Sequence, residues 1–127
     1  IAKKRDVEVE VQAIQVGPVV CLSNPAEYFV SYGLQLKKRS GFPMTFPVEL
    51  ANGCVGYVPD EEAFGPHGGG YETRLTSYSN LEITAGTQFM NVGLELAAKM
   101  KPAKLPERPN GPAGKPWAYG DQPPQLK

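Results

Sequence analysis

Val19-Val20-Cys21-Leu22-Ser23-Asn24-Pro25-Ala26-Glu27 sets an apolar run against an Asn-Pro stop, and a helical pattern follows it directly. Four consecutive apolar residues read as a buried strand. Asn24 suits a helix N-cap and Pro25 the first helical position. Phe29, Tyr32 or Gly33, and Leu36 recur at helical spacing. Lys37, Lys38 and Arg39 place positive charge at the helix C-terminus, and Ser40-Gly41 ends it. A strand feeding a helix in this way makes the chain mixed α and β.

The pattern extends outward on both sides. From Asp6 to Ile14, Val7, Val9, Val11 and Ala13 alternate with Glu8, Glu10 and Gln12, the period of a half-exposed strand. Gln15 to Pro18 reads as a turn, so this strand and the Val19 run resemble a hairpin. Thr45 to Leu50 is a third strand. Val55 to Val58 is a fourth, or a continuation of the third past Asn52-Gly53. Asp60 to Gly70 is a loop with one helical turn over Asp60 to Phe64. A last helix begins at Thr84 and carries Phe89, Met90, Val92, Leu94, Ala97 and Ala98 to about Met100.

Residues 101–127 differ in character. Seven of these 27 residues are proline, with few large apolar groups besides Leu105, Trp117 and Leu126. Such a segment cannot bury enough surface to fold alone. It reads as an extended tail over a partner surface, with Trp117 and Tyr119 as anchors, or as a loose tail. The expected division is therefore residues 1–100 as a folded portion and residues 101–127 as a proline-rich extension.

Composition excludes several function classes. The 127 residues carry 13 basic and 13 acidic side chains, a formal net charge of zero, so there is no basic footprint for nucleic acid. No apolar run approaches the ~18 residues of a membrane span. Cys21 and Cys54 lie 33 apart with no CxxC pair, too few for a cysteine-rich zinc site, and read as two small buried apolar residues. Ile1 is neither an initiator methionine nor a nucleophilic Ser, Thr or Cys, and the chain reads as a processed or excised piece of something longer.

Four positions could carry chemistry. Glu27 stands in the first helical turn after a buried strand. It is either ordinary N-terminal helix decoration or an anionic metal ligand at a strand's carboxyl end. Tyr57 ends a strand, where a tyrosine serves as a cross-strand residue or faces a ligand. Tyr71 follows Gly68-Gly69-Gly70, in a loop that is either a mobile surface segment or a close-approach element. His67 is the only histidine. It lacks a second ligand at metal spacing and reads as solvent-exposed, with substrate contact as the alternative. There is no nucleophile elbow, phosphate-binding loop or calcium loop.

Taken in order, these segments resemble the neutral/alkaline, non-lysosomal ceramidase family, in the later part of its catalytic domain. The matching stretches are Asn24-Pro25-Ala26-Glu27-Tyr28-Phe29 with Gly33, then Leu50-Ala51-Asn52, Tyr57-Val58, Asp60-Glu61-Glu62 and Tyr71-Glu72. The similarity covers roughly residues 6 to 100. Ala26 stands where the family has glycine, and the loop before Tyr71 is longer and richer in glycine.

The resemblance implies one portion of a larger mixed-sheet catalytic domain with flanking helices. It implies a zinc-dependent amide hydrolase acting on an N-acyl bond, sphingolipid or otherwise. Glu27 and Tyr57 would be zinc ligands, Tyr71 the catalytic oxyanion donor, and Tyr71 and His67 substrate contacts. The family's two zinc histidines have no counterpart in a chain with one histidine. The implied partner is therefore a larger chain supplying them, and the implied location is secreted, periplasmic or at an outer membrane surface. Two readings stand beside it: a subunit of the same fold that has lost the metal, and a free-standing binding domain using His67 and the glycine loop.

Overall fold

The computed structural model describes residues 6–107, and the anchors Trp117 and Tyr119 lie outside that range. The chain is mixed α and β. Strands β1 (Gln12–Val16) and β2 (Val19–Ser23) form an antiparallel hairpin turning at Gly17, which takes φ +57°. A two-residue strand β3 (Glu27–Tyr28) precedes helix α1 (Val30–Arg39). Strand β4 (Met44–Val48) pairs parallel to β2, and β5 (Tyr57–Val58) pairs parallel to β3. A 3-10 turn at Glu61–Phe64 and helix α2 (Ala85–Ala98) complete the order.

The helix expected to start at Pro25 starts five residues later, at Val30. The Asn24 side chain does not cap it. Its Oδ1 accepts from the Ala26 N–H at 3.0 Å, closing a tight turn. That turn lets the chain resume an extended path at Glu27, so Glu27 lies on a strand and not in a first helical turn. The basic last turn of α1 is as read from the sequence, and the Ser40 N–H bonds the Leu36 carbonyl at 3.0 Å.

The β2 and β4 pairing does not stop at Ser23. Asn24 N–H bonds Val48 O, Ala51 N–H bonds Asn24 O, Val55 N–H bonds Pro25 O and Glu27 N–H bonds Gly56 O, all at 2.8–3.0 Å. Two long parallel tracks thus run side by side, and the second carries the Glu49–Val55 excursion between β4 and β5. This excursion includes Leu50 at φ +53° and Asn52 at φ +58°. A bulky residue such as leucine rarely enters the left-handed region, so the bend stores strain.

The core lies between one face of the three-stranded sheet and the two helices. Val20 and Leu22 of β2 point inward with Tyr28, Val58, Tyr32, Leu36, Phe89, Met90 and Ala97. Tyr28 stacks on Tyr32 at 4.5 Å, and its hydroxyl donates to the Gly86 carbonyl at 2.5 Å. A Cβ at Gly86 would run into the Tyr32 ring, so α2 approaches α1 through a position only glycine fills. Burial pushes both the Tyr28 and Tyr32 phenols up from the ordinary tyrosine range.

The Val19 run is buried on one side only. Alternation puts Val20 and Leu22 inside and leaves Val19 and Cys21 on the outer face. Cys21 is half-buried and Cys54 exposed, both free, so the expected pair of buried cysteines is not found. The first strand is also shorter than its alternation. Residues 6–11 are extended outside the ladder, with Val9 and Val11 packed on the core. No helix among the described residues is long and apolar enough to cross a membrane.

Candidate functional site

In the β3 and β5 pair, Glu27 sits opposite Tyr57 and Tyr28 opposite Val58. Alternation then divides the four residues by role. Tyr28 and Val58 are buried in the core, whereas Glu27 and Tyr57 share the other face and are half-buried. Two residues 30 apart in sequence thus meet because parallel pairing fixes their register.

The glycine loop delivers the third. The Tyr71 ring meets Tyr57 edge-on, with centroids 5.2 Å apart and planes at 86°. Tyr57 thus has the Tyr71 ring on one side and its register partner Glu27 on the other. Its pKa is pushed up, first by Tyr71 and then by Glu27. Both groups are acids, so losing the Tyr57 proton would add negative charge beside a carboxylate. A cation among these oxygens would reverse that preference and favour the phenolate.

Loop 59–70 is tied to the scaffold through Asp60. Its Oδ1 caps the 3-10 turn by accepting from Ala63 N–H at 2.9 Å, and its Oδ2 accepts from Ser31 Oγ of α1 at 2.6 Å. Thr87 Oγ1 of α2 donates to Glu61 Oε1 at 2.6 Å. The acidic stretch is thus tied to both helices, through Asp60 to α1 and Glu61 to α2. His67 is exposed on the turn that follows. The structure thus brings Glu27, Tyr57 and Tyr71 together and leaves His67 on the loop surface.

Reading the sequence missed Tyr78. Its ring stands edge-on to Tyr57 at 6.1 Å and to Tyr71 at 6.5 Å, and its carbonyl accepts the Tyr57 N–H at 2.8 Å. Gly56, at φ +81°, is the available signal: a Cβ there would collide with the Tyr78 carbonyl. A pocket of about 110 Å³ opens beside Tyr57, with Val58, Phe64 and Leu81 on its apolar side and Thr73, Ser79 and Glu82 on its polar side.

The donor set is oxygen-rich and incomplete. A carboxylate and a phenol are suitable hard ligands for zinc, whose catalytic sites take three protein ligands and leave one position open. Among the described residues, no three His, Cys, Asp or Glu side chains gather to hold a metal. Glu27 and Tyr57 would supply two of the ligands that such a site takes. The chain matches no family model, no curated protein and no solved structure.

Proposed function

We propose that this chain is the ligand-bearing subunit or processed fragment of a ceramidase-like, zinc-dependent amide hydrolase, with the site completed by histidines of a larger partner chain. The observation that carries this reading is the convergence of Glu27, Tyr57 and Tyr71. They come from three separate segments, Glu27 on β3, Tyr57 on β5 and Tyr71 after the glycine loop. Glu27 and Tyr57 would hold the metal through a carboxylate oxygen and the phenol oxygen. Bound zinc supplies Lewis acidity and a water acidified toward neutral pH. The Tyr71 hydroxyl would donate a hydrogen bond to the oxygen of the amide carbonyl as negative charge develops there. A secreted, periplasmic or outer-surface location belongs to the same proposal.

The outer face of the sheet supports the larger partner. Ile14, Val16, Val19, Cys21, Met44, Phe46 and Val48 share this face, and none of its positions is charged. Ile14, Val16 and Phe46 are 57, 68 and 48% exposed. Three strands of five residues present roughly 240 Å² from strand spacing and rise. Stable association takes about 800 Å² per partner, so this face alone would not hold a second copy. Its cover must also grip elsewhere. The face turns polar at Gln12 and Ser23, the end from which the chain runs on to Glu27. Pro47 lacks a donor on the edge strand β4, which favours stacking on the face over adding a strand. Phe46→Glu should weaken assembly with the larger chain at least about tenfold, because a charge would be buried without a partner. Co-purification checks this, and unchanged assembly would contradict it.

The functional test is metal removal. The assembly should hydrolyse an N-acyl amide, lose that activity on chelation and regain it with added zinc. Activity that survives complete chelation would overturn the reading. An assembly that hydrolyses no amide with zinc bound would favour a subunit that keeps the fold without the chemistry.

A further inference from the structure

We propose that Tyr78 is a positioning residue for Tyr71, an inference that rests on the amide-hydrolase reading and names a residue that reading does not use. Tyr71 follows three glycines, and Gly69 and Gly70 take φ +133° and +116°. Its backbone alone therefore fixes its ring weakly. The Tyr71 and Tyr78 rings are 52 and 46% exposed, so burial does not account for their association. Each of the three rings instead meets the other two at steep angles, 86°, 84° and 66°, in the edge-on geometry that aromatic quadrupoles favour.

Tyr78 is itself anchored at both ends of its segment. Thr76 N–H bonds Ser79 O at 2.9 Å, and Tyr78 N–H bonds Thr76 Oγ1 at 3.3 Å, which closes a tight turn. The buried Ser79 hydroxyl donates to the Glu72 carbonyl, next to Tyr71. The Tyr78 carbonyl holds the Tyr57 N–H, and Gly56 leaves room for it. Tyr78 thus joins the rigid strand end to the glycine-rich loop. It aims the Tyr71 hydroxyl relative to Tyr57 without contacting the reacting atoms.

The test uses the intact assembly and compares Tyr78→Phe with Tyr78→Leu. The phenylalanine variant keeps the ring and should keep kcat. The leucine variant should lose about tenfold in kcat, as misplacing a reacting group does, with KM and zinc content unchanged. Its near-ultraviolet tyrosine dichroism should fall as the cluster loosens. A purely structural role would instead lower zinc content and Tm together, and that outcome would overturn the proposal. Unchanged kcat in Tyr78→Leu would overturn it as well, as would an equal loss in Tyr78→Phe, which would make the hydroxyl the active element. If Tyr78→Leu does not fold, Tyr78→Met, which keeps more of the volume, is read by the same criteria. A wild-type assembly without zinc would sink the underlying reading before any variant is compared, so the two failures are distinguishable.

Discussion

Glu27→Ala should lower amide hydrolysis by the assembled enzyme at least about a hundredfold, with loss of bound zinc. Removing groups that merely orient a metal ligand costs about 10–100-fold, so removing a ligand itself should exceed that range. The loss should not come from unfolding. Glu27 faces away from the core, and its strand neighbour Tyr28 makes the buried contacts with Tyr32 and Gly86. Substitution at such an outward position changes stability by about 0.5 kcal/mol or less. The Tm of this chain by itself should therefore hold, and that of the assembly should fall only by what bound zinc contributes. Parallel measurement of kcat/KM, zinc and thermal melting checks all three, and a Glu27→Ala enzyme with normal zinc and rate would remove Glu27 from the site.

Tyr71→Phe is the second large effect, and it should separate from the first by leaving the metal in place. Phenylalanine keeps the ring, so the edge-on contact with Tyr57 at 5.2 Å survives. Only the donor is lost. Removing one preorganised oxyanion donor costs about 10²–10³ in kcat, or about 2.7–4 kcal/mol. KM should change little, because the hydrogen bond strengthens as charge develops on the carbonyl oxygen. Steady-state kinetics beside zinc analysis checks this. An equal loss of zinc in Tyr71→Phe would make Tyr71 a ligand instead of a donor.

The sequence singles out Glu27, Tyr57 and Tyr71, but it predicts the wrong element for Glu27. Glu27 was placed at a helix start because Asn24-Pro25 is good N-cap chemistry. The Asn24 side chain instead closes a turn onto Ala26, and the backbone of residues 24–29 bonds along residues 48–58. Local capping preference lost to a non-local parallel ladder, which no nearby residue announces. That ladder puts Glu27 opposite Tyr57, so the corrected element brings the two residues closer together than the expected one did. The hairpin and the basic end of α1 rest on short-range turn and charge patterns and are readable, as is α2 from its helical spacing, although Thr84 makes no side-chain cap bond. The one-sided burial of β2 was not, because Val19-Val20-Cys21-Leu22 is apolar at every position and hides its alternation. Tyr78 escaped notice for a similar reason: its partners lie 7 and 21 residues away, and only Gly56 hints at the close approach.

The strained bend at Leu50 and Asn52 fits the same picture. Left-handed backbone at a leucine persists only where surrounding bonds enforce it. Here Leu50 N–H bonds Ala26 O and Ala51 N–H bonds Asn24 O, on either side of the turn that presents Glu27. The Leu50-Ala51 stretch thus ties down the turn that precedes the Glu27 strand, whose register is set by the bonds to Gly56 and Val58.

The central claim is that Glu27 and Tyr57 form half of a zinc site that another polypeptide completes. The most direct measurement is elemental analysis of the natively purified assembly, alongside the mass of every chain in it. The account predicts one zinc per copy of this chain, together with a larger chain that contains histidines. A fully active assembly without zinc, or zinc retained in full by Glu27→Ala, would contradict it.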